Sequence, residues 1–237
     1  MRSESSGSLD SLFDASDDEE VIVPASRDPP PIPGLYVFPG LLPQDVASKL
    51  HATSGQLTTG AALRAISDAD HFAGGQRDQV MLFSRPPSEG PSSLPAHIAS
   101  LDWSLSALLR PLLSPATHAL AFAQPLGRQA ILNLYAPGAG ITPHIDLPGR
   151  YADGIVGASL TGGCVMTFSR GGERCDVYLP PRSVYVMSGE ARWEWDHGIA
   201  YRTEDVVLER GEERVIPRGL RLSVTLRWMQ PGAGLLS

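Results

Sequence analysis

Between Arg128 and Trp228 the chain is a succession of short apolar runs: QAILNLY, ITPHIDL, IVGASL, CVMTFS, CDVYL, SVYVM and LRLSVTLRW, separated by Gly, Pro or charged residues. Short runs rich in Val, Ile, Tyr and Phe, bounded by turn residues, are strands. A parallel, doubly wound sheet would need a helix between successive strands, and no such helical pattern intervenes. The expected fold is therefore mainly β with flanking helices, its core a barrel or a two-sheet jelly roll.

The flanking helices come from the N-terminal half. In LPAHIASLDWSLSALLRPLL, Leu94, Ile98, Leu101, Leu105, Leu108 and Leu112 follow one another at steps of four and three, a single apolar stripe that should back onto a sheet. Ser93 is placed to cap it and Pro111 to end it. Upstream, LYVF reads as a strand and PQDVASKLHAT as a helix, with Pro43 early in it. Residues 55–92 are rich in Gly, Pro, Ser, Asp and Arg around one short strand, QVMLF, which makes a long loop region of the kind that often serves function.

Charge divides the chain. Of the 26 acidic residues in 237, eight fall within residues 1–32 against only Arg2 and Arg27, so the net charge of -7 belongs mostly to that segment. Its composition buries too little apolar surface to offset chain entropy. The expected organisation is a disordered acidic tail over 1–32, one domain over 33–231 and a C-terminal tail over 232–237. Leu9, Leu12 and Phe13 form a small cluster in the acidic tail that would suit a protein partner. The near-neutral remainder argues neither for nor against a nucleic-acid ligand. No apolar run spans a membrane, no signal-peptide core is present, and Cys164 and Cys175 are too few for a disulfide framework. A cytoplasmic or nuclear monomer is the expectation.

The chemistry concentrates in NLYAPGAGITPHIDLPGR. On strands, residues two apart share a face, so Asn133 pairs with Tyr135, and His144 with Asp146. His197, about fifty residues on, adds a second imidazole. Two neutral imidazoles and one carboxylate make the facial triad of non-haem Fe(II) oxygenases, which leaves coordination positions open. The spacing alone also fits a half-exposed strand with a polar edge. RLSVTLR adds a second constraint: Arg221, Ser223, Thr225 and Arg227 share one face, Leu222, Val224 and Leu226 the other. Either that polar face meets water on an edge strand, or it lines the interior. In the interior both guanidinium groups need anionic partners. Asp146 can serve one, and a dicarboxylic 2-oxo acid, chelating iron at one end, can serve the other.

N-x-Y, P-G, H-x-D, SGEAR followed by W-x-HGI, and RGLRLSVTLR occur here in an order that resembles the AlkB family of Fe(II)- and 2-oxoglutarate-dependent dioxygenases. The likeness covers roughly residues 32–229, and its motifs look closest to the branch that hydroxylates wobble uridines of tRNA. It implies a double-stranded β-helix. It implies His144, Asp146 and His197 as iron ligands, and Asn133, Tyr135, Arg221 and Arg227 as 2-oxoglutarate contacts, with O₂ as co-reactant. Arg221 would grip the distal carboxylate, and Arg227 would brace Asp146 and the oxo-acid end. The implied activity is oxidative demethylation or hydroxylation of a modified base in RNA, tRNA included, or in DNA. A same-fold oxygenase of protein or lipid, and a non-catalytic adaptor working through the acidic tail, are the alternatives. YRTEDVVLERGEERVIP, between His197 and Arg221, is expected to be a surface loop. Trp193 and Trp195 suit either a base pocket or the core, and Arg64, Arg77 and Arg85 either phosphate contacts or solvent. Asp68–His71 and Gly138–Gly140 read as a polar loop and a tight turn, and His51, His97 and His118 as surface or capping residues.

Overall fold

A computed structural model describes residues 23–48 and 77–233. In chain order these form β1 (Leu35–Phe38), β2 (Arg77–Ser84), α1 (Ala96–Leu109), α2 (Pro115–Phe122), β3 (Arg128–Tyr135), β4 (Ile141–His144), β5 (Ile155–Ser159), β6 (Cys164–Arg170), β7 (Glu173–Leu179) and β8 (Val184–Met187). They continue with α3 (Gly189–Trp193), β9 (Asp196–Ile199), β10 (Glu204–Glu209), β11 (Glu212–Pro217) and β12 (Arg221–Trp228). A helical turn also covers residues 44–48. The Leu9–Phe13 cluster, Arg64 and Asp68–His71 lie outside the described residues.

Two antiparallel sheets face each other, one ordered β1-β8-β5-β12-β3-β2 and the other β4-β9-β6-β7. The strand period of two explains the layering. Along β8, Val184 and Val186 pack toward the helices, while Tyr185 and Met187 pack toward the second sheet. On β12, Leu222, Val224 and Leu226 likewise join Ile98, Leu101, Leu105 and Leu109 of α1. Each such side chain contributes roughly 1.5–3 kcal/mol on burial. With its inner face turned to the smaller sheet, this is the double-stranded β-helix. Among the described residues, no helix is long and apolar enough to cross a membrane.

The helix stripe ends on Leu109 rather than Leu108, and Leu112 is exposed. Ser93 does not cap α1, which starts after Pro95; its hydroxyl donates to Phe83 O at 3.0 Å instead. Helix α2, unassigned from periodicity, carries a local signature: the Ser114 hydroxyl accepts the Thr117 amide at 3.1 Å, and Pro115 follows the cap. His118 is buried between the helices, its Nε2 2.9 Å from Ser106 O, rather than being a surface residue.

Two further expectations need correction. Order begins before residue 32. The Ala25 amide donates to Val206 O and its carbonyl accepts from the Leu208 amide, while Ser26 exchanges bonds with Asp176 and Tyr178. Ala25 is fully buried among Val165, Tyr178 and Val207, so a short stretch at the end of an acidic segment is held by backbone pairing that composition does not register. The expected loop after His197 is a hairpin, β10–β11, turning at Arg210 and Gly211, both at positive φ as a two-residue type I′ turn requires.

Asp205 fastens that hairpin to the domain. It accepts from Arg218 Nε and Nη2 at 2.7 Å each, from Arg202 Nε at 2.9 Å and from the Val165 amide at 3.0 Å. Burial opposes its ionisation, but the Arg218 bonds outweigh that and hold the carboxyl below its usual range. The stabilisation is complete above the unfolded value of about 3.9 and fades as pH falls through the lower folded value. Asp205→Asn should speed hydrogen exchange at the Ala25 and Val165 amides. It should also flatten the loss of stability expected of the parent below about pH 4. Urea titrations at several pH values, with exchange mass spectrometry, check both.

Candidate metal centre

Between the sheets opens a cavity of about 380 Å³. Strand register arranges its floor in rungs. Gln79, Asn133, Ser223 and Ser159 lie abreast on β2, β3, β12 and β5; the next rung carries Met81, Ile131, Thr225 and Gly157. Gly157 has no Cβ for a reason, since one would fall inside the Tyr185 ring, which covers that position. Burial pushes the Tyr185 phenol up to about 12, so it faces the cavity as a neutral hydroxyl.

Across the cavity, β4 and β9 pair His144 directly with His197, their ring centroids 4.6 Å apart. Strand β4 stops at His144, so Asp146 comes from the following loop rather than from the same rigid strand, as the alternation suggested. It still reaches the cavity, with Oδ2 3.8 Å from His197 Nε2. Two buried arginines fix that loop. Arg227 Nη1 donates to Asp146 Oδ1, while its Nε and Nη2 donate to Gln129 Oε1 at 3.0 and 2.6 Å. Its guanidinium lies 3.8 Å from the Tyr151 ring centroid. Arg192 donates to the carbonyls of Asp146, Tyr151 and Ala152 at 2.8, 2.8 and 3.2 Å.

The protonation states suit a divalent ion. Burial pushes the His197 imidazole down to about 4 against the attraction of Asp146, so it is neutral at pH 7. Burial opposes ionisation of Asp146, but Arg227, His197, His144 and Arg192 together hold its carboxyl below the usual range. His144 Nδ1 lies 2.8 Å from Thr142 O, an acceptor, so that nitrogen donates there and Nε2 is the one free to face an ion. Among the described residues, no three His, Cys or carboxylate side chains already close around one ion position. The fit rests on the donor set, two imidazoles and a carboxylate in one cavity with Asp146 Oδ1 engaged by Arg227 and Oδ2 turned to His197.

Arg221 sits at the other end of β12's inner face, 4% exposed, donating to Ser159 Oγ at 3.0 Å and Ser223 Oγ at 3.3 Å. Its guanidinium is 5.2 Å from the Tyr135 ring centroid. Among the described residues, none of the carboxylates pairs with it. Asn133 and Tyr135 line the same cavity. Trp195 packs in the core, and Trp193 lies beside Arg192, 4.2 Å from its guanidinium; neither lines the cavity. Arg85 is exposed after β2. Gln79, Gln129 and Arg192 escaped the sequence reading. For the first two the signal was the cross-strand partner, which register alone supplies; Arg192 stood in the SGEAR motif without a role.

The family model for the 2OG-Fe(II) oxygenase superfamily matches residues 92–227. The chain belongs to that superfamily. Its relatives within it are AlkB-like. An Arabidopsis thaliana protein described as "Alkylated DNA repair protein ALKBH8 homolog" is 37% identical over 119 residues, 42% of this chain and 33% of that one. The Macaca fascicularis "tRNA (carboxymethyluridine(34)-5-O)-methyltransferase ALKBH8" is 39% identical over 112 residues, 42% of this chain and 17% of that one. The chain thus spans a third or less of the length of these relatives. The solved structure of OsALKBH1 superposes with a TM-score of 0.52 at 16% identity, covering 82% of this chain and 98% of that one, which shows the shared fold. An AlkB-type 2OG-Fe(II) oxygenase is an oxidoreductase, and the superfamily implies Fe(II), 2-oxoglutarate and O₂.

Arg192→Leu leaves three carbonyls without their donor, at roughly 1 kcal/mol or more each. Urea denaturation should show a loss on the order of 3 kcal/mol, and proteolysis of the native protein should begin first within residues 146–152.

Proposed function

We propose that this protein is a dioxygenase in which His144, Asp146 and His197 hold Fe(II), while Asn133, Tyr135, Arg221 and Arg227 receive 2-oxoglutarate, and that it hydroxylates a modified base in RNA. One observation carries the reading: Arg221 is buried in the cavity that the three metal-type ligands share, held by hydroxyls and an aromatic face, with no carboxylate beside it among the described residues. A buried guanidinium of this kind favours a bidentate carboxylate, and the distal end of a dicarboxylic oxo acid supplies one. Arg227 has its acid already, in Asp146, so the two arginines divide the labour.

With iron, 2-oxoglutarate and O₂ present, the oxo acid is oxidised to succinate and CO₂, and one oxygen atom converts a substrate C–H into C–OH. The chain's own residues bind and orient. Arg227 and Arg192 keep the Asp146 loop in place. Ser159 and Ser223 align the Arg221 fork. Ile131, Met166 and Ile199 give the cavity apolar walls that limit water around the reacting C–H. No side chain is needed as a general base. On an N-methyl group the hydroxylated product would release formaldehyde; on a carbon substituent the hydroxyl would stay. A tRNA substrate is favoured by relatives whose names specify a tRNA carboxymethyluridine.

Succinate release with Fe(II), ascorbate and total tRNA should fall to background in His144→Ala. In Arg221→Met the KM for 2-oxoglutarate should rise at least about 10-fold. Nucleoside mass spectrometry of the treated RNA identifies the oxidised base. Turnover indistinguishable between parent and His144→Ala contradicts the assignment.

A further inference from the structure

Strand β2 forms one edge of the larger sheet, and its Gln79 and Met81 face the cavity. Gln79 is the outer end of the polar rung that runs from Ser159 through Ser223 and Asn133. At the inner end Ser159 and Ser223 are taken up by Arg221. At the outer end Gln79 Nε2 donates to Asn133 Oδ1 at 2.6 Å. That bond leaves Gln79 Oε1 buried with no partner among the described residues. A buried acceptor left unsatisfied costs about 1–3 kcal/mol, so the position favours a ligand that brings a donor. The amide nitrogen has a second hydrogen beyond the one given to Asn133. Gln79 therefore offers an acceptor and an adjacent donor, beside the apolar side chains of Met81 and Ile131 in the next rung.

We propose that Gln79 reads the hydrogen-bonding edge of the target base. Its Oε1 accepts a ring N–H, and its Nε2 donates to the neighbouring ring carbonyl, while Met81 and Ile131 meet apolar parts of the base. This rests on the nucleobase reading above and narrows it. A cytosine methylated at N3 still carries an amino donor for Oε1, but its methylated ring nitrogen neither donates nor accepts, so it meets only half of the Gln79 amide. The fitting substrate is a base with that edge intact and the oxidised C–H elsewhere, as in a uridine substituted at C5. Oxidation then adds oxygen to the substituent's C–H, with 2-oxoglutarate consumed to succinate and CO₂, and the hydroxyl stays on the base.

The test uses the full chain with Fe(II), 2-oxoglutarate and matched RNA stem–loops, one carrying a C5-carboxymethyl ester uridine, the other 3-methylcytidine. The parent should favour the uridine by at least about 10-fold in kcat/KM. Gln79→Leu, nearly isosteric but without the acceptor, should lose about 10–100-fold on the uridine with the KM for 2-oxoglutarate shifted by less than about 3-fold. Gln79→Glu, which keeps an acceptor, should retain more of that activity than Gln79→Leu. Circular dichroism melts verify that both variants are folded. Overturning results are uridine turnover in Gln79→Leu equal to the parent, a 2-oxoglutarate KM rising in step with the loss, Gln79→Glu no better than Gln79→Leu, or a parent preference for 3-methylcytidine. A parent that releases succinate yet oxidises neither stem–loop overturns the nucleobase reading itself, and this assignment with it.

Discussion

A carboxylate inside a protein is held ionised only by what surrounds it, and around Asp146 stand two arginines and two imidazoles. Arg227 meets one of its oxygens, Arg192 meets its backbone carbonyl, and the two imidazoles approach from β4 and β9. Remove that arrangement and burial alone would favour the neutral acid, a poor ligand. Because Asp146 lies on a loop, its placement depends on partners contributed by distant segments: Arg192 from α3 and Arg227 from β12. Arg227 in turn is aligned by Gln129, its cross-strand neighbour on β3. The cavity chemistry is thus a consequence of sheet register.

The same register explains how one strand serves two layers. β12 turns Leu222, Val224 and Leu226 onto the helix α1, and it turns Arg221, Ser223, Thr225 and Arg227 into the cavity. A slip of one residue would exchange the faces, burying guanidinium groups among leucines. The apolar side fixes the strand with several side chains' worth of burial, and the polar side then stands where it does without needing to stabilise anything itself. Such a division lets a cavity keep a buried arginine on hydroxyl partners, as Arg221 is kept here with no carboxylate partner among the described residues.

Most of this was legible in the residues. Periodicity gave the strands, most of the α1 stripe and the two faces of β12, whereas the spacing of His144, Asp146 and His197 alone left a half-exposed strand edge open until the pairing of β4 with β9 set the two histidines side by side. What stayed hidden depended on pairing between distant segments. Backbone bonds to β7 and β10 order Ala25 and Ser26, though nothing in VIVPAS announces those partners. The β10–β11 hairpin was concealed by its charge: Glu212, Glu213 and Arg214 lie on an exposed outer strand where side chains need not be apolar. Gln79 and Gln129 acquire roles only once β2 and β3 are set side by side. Asp146 broke the alternation because β4 ends two residues too soon.

Metal stoichiometry puts the account to its most direct trial. Anaerobic dialysis of the full chain against Mn(II), a redox-stable substitute for Fe(II), followed by elemental analysis, counts bound ions in the parent protein and in His197→Ala. Near one ion per chain in the parent and close to none in the folded variant is the expected result. Equal occupancy of the two, or none in the parent, would contradict a metal centre built on these three side chains.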